Sequence, residues 1–319
     1  MFSVMQDFLL SSFVSFLLFR VFLKNKLFLP KDKPNARSSH VKPTPTSGGL
    51  VLLIIGILFS FKTNFWIPLI SSPLAIVGLI DDYLKLSPMV RYFFQLLTAV
   101  AIIFSTNLIY ITDSFDSVLI RILSLFFLIL IATAIINFIN FMDGIDGLVA
   151  GSMSIILTFA IITGSTYLIP IFASLIIFLY FNWQPSKIFM GDVGSYFLGS
   201  IFVSEVFSKT NIYSSLILIT LCLPLILDSI VCIFRRLCHK QNIFSAHNLH
   251  LYQRLYQAGM KHSSIAIIYI GFVLLMGLCS MFDNLYLIIF SIMFTIATGY
   301  YLDKYVAVSF SNSLIKGLK

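Results

Sequence analysis

Asn137-Phe-Ile-Asn-Phe-Met-Asp-Gly-Ile-Asp-Gly-Leu148 is the stretch whose reading decides this chain. It follows an almost unbroken apolar run, Val118 to Ile136, and a helix needs about 20 mostly apolar residues to cross a bilayer. Out of that run come two amides, Asn137 and Asn140, and two carboxylates, Asp143 and Asp146, with Gly144 and Gly147 beside the acids. If the helix continues, Asn137, Asn140 and Asp143 share one face, because residues three apart are neighbours. The glycines then allow the backbone to turn and to approach a ligand closely. A polar helix end that simply meets water has no need of two buried amides. Polar groups at membrane depth mark a site by default.

The rest of the composition agrees with a membrane setting. The 319 residues are 59% hydrophobic and 11% charged, with a mean hydropathy of +0.98, whereas a soluble domain is about a quarter charged. The apolar runs are continuous and lack the alternation of barrel strands. The fold class is therefore an all-α integral membrane protein, a polytopic bundle of ten or eleven transmembrane helices. We expect spans near 2–23, 47–61, 65–80, 93–112, 118–138, 148–164, 167–183, 193–208, 212–234, 263–282 and 284–302, within one polytopic domain over 1–319. The first run is followed by basic residues and no small-residue cleavage site, so it reads as a retained span. Cys222, Cys232, Cys238 and Cys279 lie in or beside apolar runs without metal-ligand spacing, and read as packing residues.

Loop charge sets the orientation. With the N-terminus outside, all but Lys62, Arg121 and Lys209 of the 21 Lys and Arg residues fall inside. The net charge of +8 is thus a topology signal. Nucleic acid is not a partner, since no basic patch is interleaved with aromatics outside the membrane zone.

In this topology every polar cluster falls in an inside loop. Ser38 to Gly49 leads into the second span, and its hydroxyls, Lys42 and paired glycines suit an anion held at a helix start. Asp81-Asp82 ends the third span; adjacent acids persist where a cation neutralises them or one works as a base. Oxygen-rich sites of this kind suit Mg²⁺. Asn182 to Ser195 joins spans seven and eight, with Asp192 at a helix start between Gly191 and Gly194, placed to hold a metal near phosphate, or simply to cap the helix. The longest inside loop, 235–262, holds His247, His250 and Arg254, which a helix would present on one face. Two histidines without a close cysteine are a weak zinc signal. Arg254 reads as part of a phosphate clamp with Lys261, and Arg235 and Arg236 as interface anchors. Asp228, inside span nine, is either a functional acid or the partner of a nearby cation.

With these loops in order, the chain resembles the polyprenyl-phosphate N-acetylhexosamine-1-phosphate transferase family, glycosyltransferase family 4. The resemblance runs from Ser38 to about His262. It rests on Pro43-Thr-Pro-Thr-Ser-Gly-Gly49, Asp81-Asp82, Asn137-x-x-Asn140-x-x-Asp143-Gly-x-Asp146-Gly147 and Met190-Gly-Asp-Val-Gly-Ser195. It implies transfer of a sugar-1-phosphate from a UDP-N-acetylhexosamine to undecaprenyl phosphate, with release of UMP. It also implies Mg²⁺ or Mn²⁺, an active site facing the cytoplasm in the bacterial inner membrane, contact with membrane lipids and a possible homodimer. By the same resemblance Asp192 and Asn140 are metal ligands, and Asp81 and Asp82 lie beside the metal, one of them as base for the lipid phosphate. Asp146 and Asn182 contact the nucleotide, with Phe189 near the uracil. Where many members carry adjacent histidines, this chain has Tyr252 and Gln253. That resembles the branch that starts O-antigen and lipopolysaccharide-type glycans. The competing class is a secondary transporter, whose sites lie near the midplane of two repeated halves. No internal repeat is visible here, and the acids cluster at the inside ends.

Overall fold

Gly191–Ser208 is the axis of the bundle: every side chain from Val193 to Phe207 is buried. A helix apolar or small on all sides belongs at the centre of its neighbours. The computed structural model describes residues 2–24, 30–32, 43–106, 117–242, 245 and 247–317. Its helices are α1 (Phe2–Lys24), α2 (Gly48–Thr63), α3 (Ile67–Ile70), α4 (Ser72–Leu84), α5 (Pro88–Ser105), α6 (Val118–Phe141), α7 (Leu148–Ile162), α8 (Ile169–Asn182) and α9 (Gly191–Ser208). They continue with α10 (Ile212–Cys238), α11 (Leu251–Gln257), α12 (His262–Ser280), α13 (Leu285–Tyr301) and α14 (Phe310–Gly317). A two-residue strand pair, Lys31–Asp32 with Thr44–Pro45, precedes α2.

Small residues let the neighbours of α9 come close, which is how helices pack without a hydrophobic drive between them. A Cβ on Gly49 of α2 would collide with the Gly194 backbone, and one on Gly78 of α4 with the backbone of Asp192 and Val193. On the other side Gly199 meets the backbone of Ile136 in α6. These contacts bring the loop-side ends of α2, α4, α6 and α9 together. Outward faces are apolar, as on α1 (Leu9, Phe13, Leu17) and α6 (Leu119, Ile122, Phe126), and such faces suit lipid.

The protein is an all-α, multi-pass membrane protein. Among the described residues six helices are long and apolar enough to cross a membrane: α5, α6, α10, α12, the body of α1, and α13 with its extension to Val306. Helices α2, α7 and α8 are shorter but apolar. Two expected spans differ in outline. Span 65–80 is two helices, α3 and α4, each with a proline in its first turn, because a proline placed deeper would break the hydrogen-bond ladder. The span expected at 93–112 begins at Pro88, capped by Ser87, whose Oγ accepts from Val90 N–H at 3.4 Å. That earlier start puts Arg91 in the first turn of α5.

Candidate active site

The carboxylates gather where α4, α6 and α9 end or begin. Asn140, in the last turn of α6, donates through Nδ2 to Asp192 Oδ1 at 2.9 Å and to Ser195 Oγ at 2.8 Å. Arg91 Nη1 stands 3.2 Å from Asp81 Oδ2 and 3.9 Å from Asp192 Oδ2. Asp81 Oδ1 also accepts from Leu86 N–H, so both oxygens of the buried Asp81 are partnered. Asp82 differs: its Oδ2 is buried with no hydrogen-bond partner. That oxygen packs against Gly191, whose φ of +72° and contact with Thr46 O leave no room for a side chain.

Four acids this close oppose one another's ionisation. Burial, then the Asp192 charge, push Asp82 up to about 8, although Lys85 pulls the other way. Burial and the adjacent Asp81 carboxylate push Asp192 up to about 6. Its side chain keeps 26% of its surface open to the cleft, but the surrounding protein solvates its charge poorly. Asp143, in the loop after α6, is raised well above the usual carboxylate range by burial and by Asp192, Asp82 and Asp146. An uncommitted buried oxygen beside several frustrated carboxylates and an amide is the donor set of a hard divalent cation. Asp82, Asp192, Asp143 and the Asn140 carbonyl oxygen would hold it.

Asn137 is not part of this centre. Three residues advance a helix by about 300°, so Asn137 is turned about 60° from Asn140. It faces α5, giving Nδ2 to Gln95 Oε1 at 2.7 Å and taking Gln95 Nε2 at 3.0 Å. The amide pair satisfies both side chains inside the bundle. Asn182 is likewise committed. Its Oδ1 accepts from Gly147 N–H at 2.9 Å and its Nδ2 donates to Ile188 O at 3.0 Å, so both ends of the amide are engaged within the protein. Asp146 is buried, with Oδ2 3.3 Å from both Ser186 N and His262 Nδ1. These two residues tie the 143–147 loop to the 182–188 loop. Phe189 is half-buried beside the cleft, its backbone pinned by Pro45 O at 2.7 Å and by Gly48 N at 2.9 Å. Gly49 N donates to Met190 O at 2.9 Å. The paired glycine amides thus bind protein carbonyls rather than an anion. Lys42 lies outside the described residues.

The histidine loop also departs from expectation. Helix α11 begins only at Leu251 with His250 as its N-cap, so His247, His250 and Arg254 do not share a helix face. The imidazoles stack on each other, with centroids 5.0 Å apart. Arg254 turns inward, is 2% exposed, and bonds Leu249 O at 3.1 Å, Val308 O at 2.9 Å and Asp303. Arg235 pairs with both oxygens of Asp303 at 2.9 and 2.6 Å. Arg236 is 2% exposed and bonds Ser245 O and Oγ. Arg236 and Arg254 are buried and bonded within the protein, so neither is free to serve as an interface anchor or a phosphate clamp, while Arg235, 32% exposed, ties α10 to Asp303.

Asp228 resolves as an anchor. It accepts from Leu251 N–H at 2.7 Å, Tyr252 N–H at 3.1 Å and Tyr269 OH at 2.6 Å, with His250 Nδ1 at 3.4 Å. It therefore caps α11 from within α10, and through Tyr252, whose hydroxyl donates to Phe141 O at 3.0 Å, steadies the carboxylate loop. Burial pushes His247 down to about 3. Burial also opposes charge on His250, but Asp228 and Cys232 lift it to about 9.

Sequence reasoning missed Arg91, Ser195 and Gln95. The Ser-Pro start of α5 was the signal that would have placed Arg91 beside Asp81. An apolar cavity of about 340 Å³ lies between α10, α12 and α13, with Asp228, Arg235, Arg254 and Asp303 at its polar end.

Residues 65–208 match the family model described as glycosyl transferase family 4. A Bacillus subtilis protein named as a probable undecaprenyl-phosphate N-acetylglucosaminyl 1-phosphate transferase is 32% identical over 272 residues, 76% of this chain and 74% of its own. A Thermotoga maritima undecaprenyl-phosphate alpha-N-acetylglucosaminyl 1-phosphate transferase is 30% identical over 270 residues, 84% of this chain and 86% of its own. A Dictyoglomus turgidum phospho-N-acetylmuramoyl-pentapeptide-transferase is 34% identical over 223 residues, 61% of this chain and 72% of its own. The match spans the segment that carries Asp81, Asp82, Asn140, Asp143 and Asp192, and the transporter reading falls with it: this chain is an enzyme of glycosyl transferase family 4, the polyprenyl-phosphate N-acetylhexosamine-1-phosphate transferases.

Proposed function

We propose that the enzyme transfers N-acetylglucosamine-1-phosphate, or a closely related N-acetylhexosamine-1-phosphate, from its UDP derivative to undecaprenyl phosphate, releasing UMP. It does so at the cytoplasmic face of the bacterial inner membrane, starting a cell-surface glycan of the O-antigen or lipopolysaccharide type. The observation that carries this reading is the unpartnered Asp82 oxygen beside the Asn140–Asp192 pair. A phosphate oxygen of the lipid attacks the phosphorus that bears the sugar, and the bridging oxygen leaves with UMP. Such a reaction needs positioning and charge neutralisation more than covalent machinery. Mg²⁺ or Mn²⁺ bound by Asp82, Asp192, Asp143 and Asn140 would neutralise the diphosphate and stabilise the leaving oxygen. Arg91 fixes Asp81 and Asp192 in place. One of the adjacent acids, Asp81 or Asp82, receives a proton from the lipid phosphate. The apolar cavity beside Asp228 offers room for isoprenoid carbons, and Phe189 offers a ring face to the uracil.

The test is a donor panel. Purified enzyme with undecaprenyl phosphate and Mg²⁺ is offered UDP-N-acetylglucosamine, its epimers and deoxy analogues, and UDP-N-acetylmuramoyl-pentapeptide, with lipid products read by mass spectrometry. The proposal expects an N-acetylhexosaminyl diphospholipid. Turnover of the pentapeptide donor alone would refute it.

A further inference from the structure

We propose that Cys232, His247 and His250 form a binding site for a thiophilic divalent cation of the zinc class, separate from the oxygen-lined centre. Cys232 lies one turn after Asp228 on α10, so both face the loop that runs from His247 into α11. One ligand atom on each of Cys232, His247 and His250 lies within 4.8 Å of the others. Cys232 and His250 are each 3% exposed, and His247 is half-buried.

His250 Nδ1 is buried and faces Asp228 Oδ1 at 3.4 Å. A carboxylate facing one nitrogen of an imidazole is the arrangement that orients the other nitrogen toward a metal. Asp228 is itself fixed by Leu251 N–H, Tyr252 N–H and Tyr269 OH, so the orienting group is rigid. On His247, Nδ1 accepts from Leu249 N–H at 3.3 Å, which sets that ring too.

One sulfur and two imidazole nitrogens select zinc or a similar soft ion over Mg²⁺. Tetrahedral zinc takes sulfur at about 2.3 Å and nitrogen at about 2.0–2.1 Å. Of the three donors, the half-buried His247 is the least enclosed. Binding releases the Cys232 thiol proton and any proton on His250 to solvent, since the ligands must be a thiolate and neutral imidazoles. The fourth position stays open for water. The ion would pin His250, the N-cap of α11, to α10. Through Tyr252, which reaches Phe141 O and crowds Gly144, it would stiffen the loop carrying Asp143.

The experiment uses the full chain, purified in detergent, stripped with chelator and titrated with Co²⁺. The proposal expects one cobalt per chain, with a thiolate-to-cobalt charge-transfer band in the near ultraviolet. Stoichiometric Zn²⁺ should bleach the band and millimolar Mg²⁺ should leave it. Cys232→Ser should abolish the band, whereas Cys238→Ser, at an exposed thiol, should keep it. His247→Asn, at a half-buried position, should weaken cobalt binding by at least about tenfold. Absence of the band in the unsubstituted protein, or its persistence in Cys232→Ser, overturns the proposal.

Discussion

Proton competition at Asp82 gives the sharpest prediction. Without a cation Asp82 titrates at about 8 and Asp192 at about 6, and a divalent ion must displace both protons. Each proton divides the apparent affinity by 1 + 10^(pKa − pH). Between pH 8 and pH 6 the Asp82 divisor rises from about 2 to about 100 and that of Asp192 from about 1 to about 2. From these two groups cation affinity should therefore fall about 100-fold, which is about 2.7 kcal/mol, and the raised Asp143 adds to the fall. The assay is Mn²⁺ binding by electron paramagnetic resonance on substrate-free protein, so that titration of the lipid phosphate does not enter. In Asp82→Asn the pH effect should shrink by the Asp82 share, about 50-fold, leaving what Asp192 and Asp143 contribute. A Mn²⁺ affinity that is flat from pH 6 to pH 8, or one as steep in Asp82→Asn as in the parent, refutes the reasoning.

Four further outcomes follow from the same geometry. Because Asp82 is raised from 3.8 to about 8, the folded cation-free protein binds more protons than the unfolded chain across that window. Its melting temperature should fall as pH rises from about 4 to 8, with Mg²⁺ stabilising more at pH 8 than at pH 6. Arg254→Ala should cost about 3–5 kcal/mol of stability by breaking a buried pair, while the folded fraction keeps its affinity for uridine nucleotides; normal melting would contradict this. Gly49→Ala should abolish folded expression through its collision with Gly194, while Gly271→Ala, with nothing within 4 Å of the added atom, should leave the yield unchanged. Asn140→Ala should lower turnover by about 10²–10³-fold without a comparable loss of melting temperature.

Much of the fold was legible because membrane spans are read from length and hydropathy, and loop charge gave a side to the polar motifs. Asp81, Asp82, Asn140, Asp143 and Asp192 were legible as a group because acids beside apolar runs have few other reasons to persist. The roles of Asn137, Asn182, Asp146 and Arg254 were not. Each is a polar residue in or beside a motif, and only the packed structure shows that its groups are already bonded within the protein. The closeness of Cys232 to His247 and His250 was not legible for the complementary reason. Fifteen residues separate Cys232 from His247, and a helix that leaves and a loop that returns give no local spacing to read. Arg91 was counted as loop charge until the capped start of α5 aimed it at Asp81.

The central claim is a cation-dependent transfer between two phosphates at the Asp82–Asn140–Asp192 centre. The most direct measurement is UMP release alongside lipid product, in the purified enzyme and in Asp192→Asn, with undecaprenyl phosphate, UDP-N-acetylglucosamine and Mg²⁺ each omitted in turn. UMP and diphospholipid should form in equal amounts only when all three are present, with a loss of about 10²–10³-fold in Asp192→Asn. UMP release without the lipid, or lipid product formed at an undiminished rate in chelator, would contradict it.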